Sequence, residues 1–407
     1  MNKWKKNLAY FLTGQTISLF GSMIVQYAIT WHITLETKSG LMMTIAIICG
    51  FLPTLFLSPF AGVWADKFNR KAIIIISDSL IALSTLILAI LFLFGFDKIW
   101  LLFVIMTIRA LGSAVQTPAV SSYIPLLVPN DKLTKVNAIN QTIQSIMILI
   151  SPILSALLLS ITTLGYIFFI DVITAIIAIV ILYFFMYVPE TKTQENIKTD
   201  YFKDLKEGLI YISKNKYVLI FCIFSALFMF LAAPVSFLTP LQVTRDFGSE
   251  VWRLTVIEIA FSVGMMLGGI IIGKWGGFKN RLHTMVFSNV IIFLAIFGLG
   301  VLENFWIYSV VMGLIGIAMP IFNVPSTVIL QQNIDKNFLG RVFGVFGMIT
   351  SVSMPLGMLL FGPLSDKVKI DYILIATAIG MMIITVLMFK NKELVRVGAI
   401  RPQEEKN

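Results

Sequence analysis

Apolar stretches of about twenty residues or more follow one another along nearly the whole chain, separated by short polar clusters. Twelve such runs lie near 8–34, 41–64, 72–95, 99–126, 136–159, 164–187, 217–243, 251–275, 282–302, 304–332, 339–363 and 370–389. Each is long enough to cross roughly 30 Å of hydrocarbon at about 1.5 Å per helical residue. The pattern predicts an all-α integral membrane protein with twelve transmembrane helices. A chain that is 58% apolar and 13% charged, with a mean hydropathy of +0.91, excludes an ordinary soluble domain. The first run follows "MNKWKK" but exceeds a signal-peptide core and is expected to be a retained helix.

Charge then orients the chain. The net charge of +10 would allow a nucleic-acid partner if the basic residues shared one surface, but they alternate between loops instead. With the N-terminus in the cytosol, the opposite loops hold only Lys38, Lys98, Arg245, Arg253, Lys367 and Lys369, and Arg109 lies inside a run. This positive-inside bias predicts a multi-pass protein of the cytoplasmic membrane with both termini cytosolic, partnered by the lipid bilayer and not by nucleic acid. The sequence leaves any accessory protein unknown.

The longest polar stretch, "PETKTQENIKTDYFKDLKEGLIYISKNK", separates six runs from six. It sets expected boundaries at 1–189 for a first six-helix bundle, 190–216 for a cytosolic linker, 217–390 for a second bundle and 391–407 for a cytosolic tail. Within the linker, Phe202, Leu205, Leu209 and Ile212 form one apolar stripe, the pattern of a helix lying on a membrane surface. The halves also echo each other. "QTPAVSSYIPLLVPNDKLTKV" leads from the fourth run to the fifth, and "NVPSTVILQQNIDKNFLGRV" from the tenth to the eleventh, as in transporters built from repeated bundles.

One loop carries more than orientation. "GVWADKFNRK", residues 62–71, places an Asp and several bases between the second and third runs, where Gly62 is expected to let a helix approach a neighbour and Asp66 to face a helix N-terminus. Gly62, Asp66, Lys67, Arg70 and Lys71 match the signature of the major facilitator superfamily, which the chain resembles; Asn69 stands where that signature has its second glycine. "RALGSAVQTPA" resembles the superfamily motif whose arginine is linked to proton movement, with Arg109 present and Gly112 in the usual glutamine position. "SPILSA" resembles the antiporter motif of the fifth helix; Ser151, Pro152, Ser155 and Ala156 keep its small residues and its proline without any glycine. "GQTISLFGSMIVQYAI", "GFLP", "PLLVP", "EIAFSVGMMLGG" and "LGRVFG" make the chain similar to bacterial macrolide-efflux proteins among the drug:proton antiporters.

The resemblance implies two six-helix bundles, a small-molecule substrate that is bulky and amphipathic, and a proton gradient as the energy source with no cofactor. It also implies that Asp66 docks on the start of the eleventh helix and on Arg341 as a conformational latch. Helices 1, 4, 7 and 10 would be central, which makes Gln15, Gln26, Trp31, Gln116 and Asn323 candidates for a substrate cavity, with Phe221, Phe224 and Phe228 better read as packing.

Energy coupling needs an ionisable group within the membrane. Glu258 and Arg109 lie about 7 and 10 residues into their runs, roughly 11 and 15 Å deep. Glu258 is the first candidate for the proton-coupling acid, with Arg109 and Asp171 beside it as candidates. The competing reading makes Arg109 and Asp171 a structural ion pair, and Asp78 a packing residue. Other features point nowhere. Trp275 ends the phosphate-loop-like "GGIIIGKW" where Ser or Thr is required, "GPLSDK" at 362–367 is expected only to close a helix, and His32 and His283 lack metal-ligand spacing. Cys49 and Cys222 read as packing residues. No catalytic residue and no metal site are expected.

Overall fold

In hydrocarbon a backbone amide has no water to bond, so a chain this apolar satisfies its own backbone by forming helices. The computed structural model describes residues 3–129, 132–186, 201–335 and 338–399. The side chains of Pro59, Val63, Asp66, Lys67, Thr134 and a few at the segment ends lie outside that description. Twelve of the described helices are long and apolar enough to span a membrane, and these residues contain no β-strand.

The first six spans are α1 (Lys3–Thr37), α2 (Gly40–Lys67), α3 (Arg70–Leu93), α4 (Ile99–Leu127), α5 (Leu133–Ile161) and α6 (Leu164–Val180), the last ending in a π-helical turn over Ile181–Phe185. The amphipathic stripe of the linker forms α7 (Tyr201–Lys214). The seventh run is one span broken at Leu238 into α8 (Lys216–Phe237) and α9 (Thr239–Asp246), just after Pro234. There follow α10 (Val251–Trp275), α11 (Arg281–Leu299), α12 (Phe305–Asn333), α13 (Leu339–Ser365) and α14 (Ile370–Lys390). The segment expected as a tail begins as a further helix, α15 (Lys392–Gly398), whose Leu394 is buried.

The chain divides into two compact units, Met1–Thr37 with Ile45–Ile197, and Lys38–Thr44 with Lys198–Asn407. The first turn of α2 therefore groups with the second unit, a division that the expected boundaries do not contain. In the first unit α1 packs on α5 and α6, and α3 on α4 and α6, around Phe11, Ile74, Ala119, Tyr123 and Leu182. In the second, α8 packs on α13, α11 on α14, and α12 on both α10 and α11. The α10–α12 seam is exceptionally close. A methyl group added at Gly264, Gly268 or Gly316 would collide with the carbonyl oxygen of Gly313, Ile317 or Phe261 respectively. Large apolar side chains such as Phe56, Ile76, Phe184 and Trp306 remain exposed, as expected of surfaces solvated by lipid.

Candidate functional site: buried charges in the membrane spans

The first unit assembles a polar column from residues of four helices, α1, α3, α4 and α6. On α1, Gln15, Ser18 and Ser22 recur at three and four residues and share one face. Asp78 and Thr85 on α3, and Arg109 and Gln116 on α4, are each seven residues apart and so also share faces. Two glycines bring these helices together. A Cβ at Gly21 would strike Thr174 Oγ1 of α6, and one at Gly112 would lie 2.6 Å from Ile81 Cγ1 of α3. Gly112, in the position where a glutamine was the expectation from the motif, is thus what lets α4 approach α3.

The column has two stations. At one, Arg109 and Asp171 form an ion pair with 6% and 0% of their surfaces exposed. Arg109 Nη1 also donates to Thr85 Oγ1 at 2.8 Å and Nη2 to the carbonyl of Ser22 at 3.1 Å. Asp171 accepts from Ser22 Oγ at 2.7 Å and from Thr85 Oγ1 at 3.1 Å. Each buried charge therefore has its counter-charge and further hydrogen bonds, the condition under which such a pair is tolerated. At the other station Asp78 accepts from Ser18 Oγ at 3.1 Å and from Gln116 Nε2 at 2.6 Å. Gln116, expected to face a cavity, is thus bound to an acid.

The remaining candidates are dispersed. Glu258, on α10, is half-buried and has no hydrogen-bond or ion-pair partner among the described residues. Gln15 keeps its Nε2 buried without a partner among the described residues, Gln26 and Asn323 are exposed, and Trp31 is buried with its ring 5.6 Å from that of Tyr27. Phe221 and Phe228 are buried, and Phe228 stacks on Phe322 at 4.5 Å. In α5 the helix continues through Pro152; Ser151 and Ser155 are fully buried, their hydroxyls without a partner among the described residues, and Ala156 is buried as well.

The loop after α2 is described in part. α2 runs past Gly62 to Lys67, and among the described residues a Cβ at Gly62 would meet nothing within 4 Å. Asn69, standing where the signature has glycine, caps α3 by accepting from Ala72 N at 2.7 Å. Arg70 Nε donates to the carbonyl of Ala65 at 2.9 Å, and Lys71 Nζ to that of Met186 at 2.6 Å, cations placed at helix C-termini. The side chains of Asp66 and Lys67 lie outside the described residues. Arg341 is held within its own unit, by Asp204 at 2.7 Å and Glu207 at 2.9 Å, both on α7.

"GPLSDK", expected only to end a helix, builds a clasp in the second unit. Asp366 accepts from the backbone amides of Gly40 at 2.7 Å and Leu41 at 3.0 Å, from Ser39 Oγ at 2.8 Å and from Arg245 Nη2 at 2.9 Å. Arg245 reaches on to the carbonyls of Lys38 and Ser365, both at 2.6 Å. Gly40 has no room for a side chain, because a Cβ would collide with Ser365 Oγ and Gly362 O. Burial pushes the Asp366 carboxyl up, but the donors from Leu41, Gly40, Ser39 and Arg245 together outweigh it and hold its pKa below the usual carboxylate range.

Similarity to known proteins agrees with this architecture. Macrolide efflux protein A of Streptococcus pyogenes is 31% identical over 373 residues, covering 91% of this chain and 92% of that protein. The staphyloferrin A transporter of Staphylococcus aureus is 25% identical over 398 residues, 95% of this chain and 96% of its own. The crystal structure of the nucleoside transporter NupG superposes with a TM-score of 0.72 at 17% identity, covering 96% of this chain and all of that one. The family model of the Major Facilitator Superfamily matches residues 8–358, and with twelve spans and buried membrane charges beside that match, the chain belongs to the Major Facilitator Superfamily.

Proposed function

We propose that this protein exports a bulky, amphipathic compound of the macrolide type across a bacterial cytoplasmic membrane, exchanging it for protons by alternating access, with both termini in the cytosol. The observation that carries this reading is the similarity to Macrolide efflux protein A over 91% of the chain. Ionisable groups within the spans support the proton as driving ion, because a membrane protein places such groups in hydrocarbon where charge has to be handled. Glu258 is the proposed coupling acid. It has no protein partner among the described residues, so a proton and a cationic substrate can compete for it, as antiport requires. Arg109 and Asp171 neutralise each other, which favours a positioning role for that pair.

The test is erythromycin transport in everted membrane vesicles with an imposed pH gradient. Gradient-driven accumulation is expected in wild type and is expected to disappear in Glu258→Gln at matched expression, with erythromycin binding retained. Full gradient-driven transport by Glu258→Gln would remove that residue from the coupling role. A second reading, export of a siderophore, rests on the similarity to the staphyloferrin A transporter. Accumulation assays with both compounds separate the two, and absence of flux for every compound in proteoliposomes would favour a receptor. Cysteines at Lys38 and Gln194 test the orientation. Only the first is expected to react with an impermeant thiol reagent on whole cells.

A further inference from the structure

Of the two buried acids among the described residues of the first unit, only Asp171 has a cation beside it. Asp78 is 4% exposed, and its partners among the described residues are two neutral groups. Both end on the same atom. Ser18 Oγ and Gln116 Nε2 donate to Oδ1, and no described group donates to Oδ2. The charged groups that α4 and α6 bring against α3 are already engaged, Arg109 and Asp171 holding each other; Lys71, at the start of α3, binds the carbonyls of Tyr183 and Met186, and on α1 the charged residue nearest to Ser18 in sequence is Lys6.

We propose that Asp78, with Ser18 and Gln116, is a proton-binding site: Oδ1 acts as a carbonyl oxygen accepting two hydrogen bonds, and Oδ2 carries the proton. The arrangement suits a neutral carboxyl group, which has one hydroxyl to place and one oxygen free to accept. It does not suit an isolated carboxylate, whose charge two neutral donors leave largely uncompensated in a water-poor interior. Nor do the described residues gather three His, Cys, Asp or Glu side chains here or elsewhere, as a metal cation would favour. Release breaks the Oδ2–H bond, leaves the electron pair on Oδ2 and passes the proton to water; uptake reverses it.

The inference rests on the reading that export is proton-driven, and adds an acid in the first unit to Glu258 in the second. Within its column Asp78 lies two helical turns from Thr85, which touches the Arg109–Asp171 pair, and Ser18 lies one turn from Ser22, which touches it too. Loss of the Asp78 proton therefore places a negative charge in register with that pair and alters the helix contacts it holds. The proposed cycle uses this as its conformational signal.

The experiment uses the full chain, purified and reconstituted in lipid. Infrared spectroscopy at neutral pH is expected to show a protonated-carboxyl stretch that Asp78→Asn removes, Asp78→Glu shifts and Glu258→Gln leaves in place. In vesicles, Asp78→Asn is expected to lower export driven by a pH gradient at least about tenfold, while erythromycin binding persists. Should Asp78→Asn fail to fold, the shift in Asp78→Glu assigns the band. An unchanged band in Asp78→Glu, wild-type export by Asp78→Asn, or a sodium gradient that replaces the proton gradient would each overturn the site. Wild-type export indifferent to any pH gradient would overturn the proton-driven reading itself, whereas the infrared band reports on Asp78 alone.

Discussion

Arg109 and Arg245 are both held by an aspartate, and little else about them is alike. Arg109 and Asp171 are sealed among α1, α3, α4 and α6, with side chains 7% and 1% exposed. Arg245 and Asp366 are 28% and 29% exposed and share their charge with backbone groups. In the first case each charge depends on the other, since neither has water to fall back on. In the second, solvent can replace either partner, and what the aspartate adds is the satisfaction of two amides at the start of α2.

The largest effect should come from breaking the buried pair on one side only. Arg109→Leu strands Asp171 and is expected to destabilise by about 3–5 kcal/mol, read as a fall in the melting temperature of the detergent-purified protein. The double variant Arg109→Leu with Asp171→Leu should recover much of that loss. A double variant as unstable as the single one would show that the pair is not a unit.

Asp366→Ala should cost less, about 0.5–2 kcal/mol, the usual range for removing a helix cap. The loss should be local, appearing as faster hydrogen exchange at Gly40 and Leu41; exchange unchanged there would remove Asp366 as the cap. Acid sharpens the same point. The carboxyl pKa is depressed in the folded protein, so its contribution is complete above the unfolded value and is lost as pH falls through the folded one. Below about pH 4 wild type should lose melting temperature faster than Asp366→Asn, with little difference between their slopes near neutrality. Parallel slopes in acid would mean that Asp366 titrates elsewhere.

The smallest effect is expected at Arg341, whose side chain is 35% exposed beside Asp204 and Glu207. Arg341→Ala should change stability by less than about 1 kcal/mol, and high salt should reduce the difference further. A change as large as that in Arg109→Leu would abolish the distinction between sealed and open ion pairs.

The twelve spans were legible because length and apolarity are properties of contiguous residues. The Arg109–Asp171 pair was legible as one of two readings, since both lie deep in predicted spans. The hydroxyls of Ser18, Ser22 and Thr85 were not singled out. Yet Gln15, Ser18 and Ser22 do share one helical face, and that spacing was the available signal. The Asp366 clasp had none. Its amide donors lie 326 and 325 positions away, and only the folded chain brings that first turn of α2 to the end of α13. Asp78 looked like packing because nothing along the chain reveals that both its donors meet one oxygen.

The seam between α10 and α12 also has a bearing on how this protein can change over generations. Gly264, Gly268 and Gly316 admit no side chain, because the obstacle at each is a backbone carbonyl that cannot rotate aside. Glu258 stands about 100° around α10 from the line of Gly264 and Gly268. Variation on α10 is thereby channelled to one side of the helix: residues flanking Glu258 can be exchanged while the glycine edge stays fixed, so a library seeking altered substrates should randomise the former and leave positions 264, 268 and 316 untouched.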